Sequence, residues 1–160
     1  MSERRKRAWE AYKKYRLVVK IIAAFSLAIL GISGCIAFAK VYHNYNAAVW
    51  AGVSAAFAIV FIRLHFMVYR DRHERSISRL RFTITLWIGV VGLIAALAGL
   101  ITYIVLGVKH HEKGMDPKGY FVVCLWCAKT AMWGFSTFMA ARKFRKKYFD
   151  SDENELIVND

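Results

Sequence analysis

AAVWAGVSAAFAIVFIRLHFMVY, residues 47–69, decides what kind of protein this is. Its 23 residues contain no acid, amide or proline, and only Arg63 and His65 interrupt the apolar and small side chains. Roughly 20 helical residues cross a hydrocarbon core of about 30 Å, so the stretch is long enough to span a membrane. Residues 17–39, 82–108 and 119–141 form three further blocks of the same kind, the four being 23 to 27 residues long. Strands of a membrane barrel are about half that length and alternate in polarity, which these blocks do not. The first block begins too deep in the chain, and runs too long, for a removable signal sequence. The expectation is an all-α polytopic membrane protein with four transmembrane helices. Residues 1–16 form a basic N-terminal tail, 17–141 the membrane domain and 142–160 a C-terminal tail.

The chain of 160 residues is 58% hydrophobic yet carries a net charge of +13. A soluble domain of this size cannot hide so much apolar surface, and a nucleic-acid binder has no need of it. Lys and Arg number eight in residues 1–20, five in 70–81 and five in 142–160, against one in 40–46 and three in 109–118. Eighteen against four predicts cytosolic termini and a cytosolic middle loop. The charge then reads as a topology signal and an attraction to anionic head groups, with no nucleic-acid partner.

Cys35, Cys124 and Cys127 all fall within the expected spans, so no disulfide framework is expected. Cys124 and Cys127 make a CxxC, but zinc or redox chemistry needs solvent access and more ligands, and apolar packing is the plainer reading. Neither a nucleophile with a base in reach nor a phosphate-cradling glycine loop appears, and the expectation is no enzyme. Ala48, Gly52 and Ala56, and Gly89, Gly92, Ala96 and Gly99, make small-residue stripes for close helix packing, within the chain or between copies of it. Tyr42, Tyr45, Trp50, Tyr103, Tyr120 and Phe121 mark the outer interface; Tyr12, Tyr15, Tyr69, Trp87, Phe144 and Tyr148 mark the inner one.

Some polar groups are not explained by packing. Arg63 can snorkel to the head groups, but His65, four residues before Tyr69, is too short to do so easily. Either a neighbouring carbonyl or hydroxyl satisfies it, or it faces a functional cavity. Lys129 lies mid-span with Trp126 and Trp133 on its face, an arrangement that suits a cation between two indoles. No Asp or Glu occurs in any expected span, so a charged Lys129 needs an anion from outside the chain. His43, His110 and His111 gather on the outer side. Imidazole ligates haem iron, Arg and Lys suit propionates, and aromatic walls suit the macrocycle; a porphyrin would fit this set.

At the end of the fourth span the sequence reads AARKF, Ala140 to Phe144, and late in the second it reads LHFMVYRD. The second outer loop reads VKHHEKGMDPKGY, with His111, Asp116, Pro117 and Tyr120. In their order and spacing these stretches resemble the haem-responsive haem transporters (solute carrier family 48), from about the first span to the C-terminus. The family often has an aromatic where Ala140 stands, so Phe138 or Phe144 would take over any stacking there. The resemblance implies a permease that moves haem, as cargo, from outside or from an endolysosomal lumen into the cytosol. His111, before His110 and His43, would capture haem at the outer face. His65 with Arg142, Lys143 and Phe144 would form the inner site, and Lys129, Trp126, Trp133 and Tyr69 would line a path between them.

Asp152, Leu156 and Ile157 fit an acidic dileucine signal, which sorting adaptors would read to route the protein to endosomes or lysosomes, the plasma membrane being the other expected location. The rival readings are a non-transporting tetraspan adaptor or assembly factor, and a carrier of another planar organic anion.

Overall fold

The computed structural model describes the backbone of residues 3–70, 79–112 and 114–158. It describes the side chains of residues 18–67, 80–112 and 114–146, with those of Arg5, Trp9, Tyr12 and Tyr15. These residues form four α-helices and no strand: α1 (Glu3–Lys40), α2 (Tyr45–Arg70), α3 (Arg79–Lys109) and α4 (Tyr120–Val158). Each contains a segment long and apolar enough to cross a membrane, at Val18–Lys40, Tyr45–Met67, Leu80–Lys109 and Tyr120–Lys146. The first and last helices of the chain outrun the bilayer. With 38 and 39 residues, α1 and α4 are about 57 and 58 Å long, so both continue as helix into what the sequence marks as tails.

The helices pack in the order α1, α2, α4, α3, while the backbones of α2 and α3 stay apart and meet through side chains. Accordingly the spans of α2 and α4 are 44% and 50% buried, against 17% and 11% for α1 and α3. The marginal helices show their Ile, Leu and Val residues to lipid, where such side chains cost nothing to expose. Between α2 and α3 runs an apolar groove of about 600 Å³, lined by Trp50, Phe57, Trp87 and Val91 among others.

Small residues let the backbones approach, but not by the stripe expected in α2. Ala47, Ala51, Ala55 and Ala58 are buried with Ala48, whereas Ala56 is exposed and Gly52 faces Cys35 at ordinary contact distance. The reason lies in the partners: Gly31 of α1 sits against Ala51 and Ala55, and Trp126 of α4 packs on Ala47 and Ala51. In α3 the stripe is used on two sides. Gly89 meets the α4 backbone at Gly134 and Phe138, Gly92 receives the Phe57 ring and Gly99 receives Trp50.

Candidate functional site

His65 sits near the end of the second span, only 7% exposed. Its Nδ1 is 3.0 Å from the Phe61 carbonyl oxygen one turn earlier. A carbonyl only accepts, so Nδ1 carries the proton and donates, and the tautomer leaves an unshared pair on Nε2. Among the described residues no hydrogen bond reaches Nε2. The ring lies 4.2 Å from that of Phe61 and meets Phe144 of α4 edge-on at 5.4 Å. Phe61 continues this aromatic file to Trp133, at 5.3 Å. The result is an imidazole fixed by a carbonyl through one nitrogen and open at the other, in an aromatic pocket. Metal-binding histidines are commonly oriented in this way, by a carbonyl on the nitrogen that does not ligate.

The AARKF stretch divides around α4. Phe144 faces His65, and Ala141 is buried against Leu64 and Phe82. Arg142 lies two residues from Phe144, about 200° around the helix, and borders a separate crevice with Arg145 and Lys146. Lys143 is exposed. Arg63 is also exposed, two residues from His65 and so on the other side of α2.

Lys129 is half-buried, its Nζ 4.5 Å from the centroid of the Trp126 ring. Trp133 instead turns toward Phe61, so the cation covers one indole. Helical side chains lean toward the N-terminus, which carries Lys129 over Trp126 and away from Trp133. Trp126 also takes Phe38 edge-on at 6.2 Å, and its buried Nε1 has no hydrogen-bond partner among the described residues. Tyr69 belongs to the last turn of α2, with its side chain outside the described ones, as are those of Asp152, Leu156 and Ile157 in α4.

At the end of the bundle that carries the α1–α2 and α3–α4 loops the histidines hold distinct backbone positions. His111 has a φ of 52° and His43 a φ of 53°, in the left-handed region that non-glycine residues seldom enter. Glu112 N donates to Gly107 O at 3.1 Å and His111 N to Val108 O at 3.1 Å. This pair of bonds makes a Schellman-type C-cap of α3 with His111 in the place glycine usually fills. The imidazoles of His43 and His111 are exposed, while the His110 ring lies 5.2 Å from that of Tyr120, which stacks on Tyr103. Among the described residues no three of His, Cys, Asp and Glu converge as a metal cluster.

Two residues that the sequence reading did not single out hold this end together. Glu112 accepts from Tyr120 N at 2.9 and 2.8 Å and from Phe121 N at 3.3 Å, capping the N-terminus of α4 from the preceding loop. Asn44 accepts from Ala47 N to cap α2, and its Nδ2 donates to Pro117 O and Gly119 O, each at 3.2 Å, joining the outer loops. The asparagine three residues before Ala47 was a legible cap signal; the loop-to-loop bonds were not. Phe61, one turn before His65, could have been found from helical spacing.

The chain is similar to heme transporter hrg-1 of Caenorhabditis elegans. The two are 24% identical over 135 residues, which cover 82% of this chain and 69% of that relative. No protein-family model and no solved structure matches the chain. The relative and the sequence motifs point independently to one resemblance, to the haem-responsive haem transporters.

Proposed function

We propose that this protein carries haem across a membrane into the cytosol, from the exterior or from an endolysosomal lumen. The observation that carries the reading is His65: a buried imidazole, fixed through Nδ1, that presents a free Nε2 pair inside a span. A nitrogen with no partner among the described residues is available to a ligand, and ferric iron is one that imidazole binds. The name of the similar relative agrees with that cargo.

In this reading His111, with His110 and His43, takes haem at the outer face. Tyr103 and Tyr120 offer the macrocycle an aromatic surface beside His110. Lys129, over Trp126, supplies a cation part-way across, on a path with Trp133 and Tyr69. His65 and Phe144 receive haem at the inner end, where Arg142 and Lys143 are the cations available for propionates. Modest affinity at each station suits transport, since cargo held too tightly would not leave. Asp152, Leu156 and Ile157 would direct the protein to endosomes or lysosomes through sorting adaptors.

The test is growth of a haem-synthesis mutant on low external haemin. Expression of this chain restores growth, and His65→Ala abolishes the rescue at equal surface abundance. Rescue that persists in His65→Ala rejects the inner site. Absence of rescue by the wild-type chain at the cell surface favours a non-transporting adaptor. Equal uptake of metal-free and iron porphyrin, still dependent on Lys129, favours a general carrier of planar anions.

A further inference from the structure

We infer that the inner mouth of the α3–α4 crevice is a binding site for an anionic phospholipid whose headgroup bears a phosphomonoester. Arg142, Arg145 and Lys146 lie at positions i, i+3 and i+4 of α4 and line one crevice of about 370 Å³. The floor is apolar, formed by Phe138 one turn deeper and by Leu86 of α3. None of the three cations makes a hydrogen bond or ion pair among the described residues. Three unpaired cations above an apolar floor, just beyond the expected fourth span that closes at residue 141, match a lipid with its phosphates at the interface and its glycerol and upper chains against Phe138 and Leu86.

The charge count narrows the headgroup. Phosphatidylserine, with one net negative charge, would leave two cations unmatched, whereas a phosphomonoester brings nearly two charges and three acceptor oxygens, and two such groups bring more. Arginine forks suit phosphate geometry, and clusters of basic residues at the end of a membrane helix bind such lipids. Of the residues assigned to the proposed haem site, this crevice shares only Arg142. Arg142 points about 200° around α4 from Phe144, and Arg145 and Lys146 take no part in that site.

The test uses the full chain in detergent, with short-chain phosphatidylinositol bisphosphate, short-chain phosphatidylserine, inorganic phosphate and haemin as probes, read by thermophoresis and by the Soret band. The wild-type chain binds the bisphosphate lipid at least about tenfold more tightly than phosphatidylserine. Arg145→Gln/Lys146→Gln weakens that binding by about tenfold or more and leaves the haemin titration unchanged. Arg145→Lys/Lys146→Arg, which keeps the charge, restores most of it. Lys109→Gln/Lys118→Gln, equal in charge but at the outer end, binds as wild type. The inference is overturned if the two glutamine pairs weaken binding equally, which would mean bulk attraction alone. It is also overturned if Arg145→Gln/Lys146→Gln binds as wild type, if inorganic phosphate binds as tightly as the lipid, or if haemin displaces the lipid one for one. His65→Ala should leave lipid binding intact, so failure of the haem reading and failure of this one are told apart.

Discussion

Replacing Gly89 by alanine probes the α3–α4 contact on which the position of α4, and so of Phe144, depends. A Cβ at Gly89 would lie 2.9 Å from Phe138 N, 3.0 Å from Gly134 O and 3.1 Å from Phe138 Cα. All three are backbone atoms, so no rotamer change relieves the clash. Ordinary contact begins at 3.4 Å, and 3.4 − 2.9 leaves 0.5 Å for the helices to part. A gap of about 0.5 Å already forfeits roughly a quarter of each dispersion well along the seam, and overpacking of this kind costs about 1–3 kcal/mol. Alanine returns up to about 1 kcal/mol in helix propensity. Gly52→Ala is the matched control: it gains the same propensity, but its Cβ meets only Cys35 Sγ at 3.4 Å. The difference between the two variants should therefore be about 2 kcal/mol, a factor of roughly 30 in the unfolding constant. Reversible unfolding in mixed micelles, followed by circular dichroism, measures it. Gly134→Ala should resemble Gly89→Ala, because its Cβ meets Leu93 N at 3.0 Å and Gly89 O at 3.1 Å. The double variant should cost less than the sum, since one separation serves both. A difference from Gly52→Ala below about 0.5 kcal/mol, or full additivity with Gly134→Ala, would refute the close backbone crossing.

His111 should separate fold from function: at its φ of 52°, alanine should cost about 1 kcal/mol relative to glycine. His111→Gly should thus keep wild-type stability while losing haem capture, and full capture by that variant would reduce His111 to a helix cap. Glu112→Gln keeps an acceptor but loses the charge facing Tyr120 N and Phe121 N. It should cost about 1 kcal/mol and speed hydrogen exchange of those two amides, and unchanged exchange would remove the capping role. A double-mutant cycle with Lys129→Met and Trp126→Leu should give a coupling of about 0.5–2 kcal/mol, whereas zero coupling would show that the cation over the ring does nothing for stability.

The number and type of helices were legible because lipid imposes length and polarity directly, and all four expected blocks lie within helices except Gly119, the bend before α4. Which face of α2 is buried was not. Its run AAVWAGVSAAFA has small residues on neighbouring faces, and the choice falls to Gly31 and Trp126 on other helices. His65 stood out from its residue type and depth alone, but the state of its two nitrogens needed the Phe61 carbonyl in place. The division of AARKF follows from helical period, since residues two apart cannot share a face. The capping of α4 by Glu112, eight residues before Tyr120, depends on the fold of the loop and leaves no local pattern.

The central claim is that ferric porphyrin iron is the partner of His65 Nε2. Titrating haemin into the purified, folded chain and recording the Soret band tests it most directly. The account predicts a shift to an imidazole-ligated spectrum, with one inner-site ligation step lost in His65→Ala while metal-free protoporphyrin shows no corresponding change. A wild-type spectrum indistinguishable from haemin in empty micelles, or a His65→Ala titration superimposable on the wild type, would contradict it.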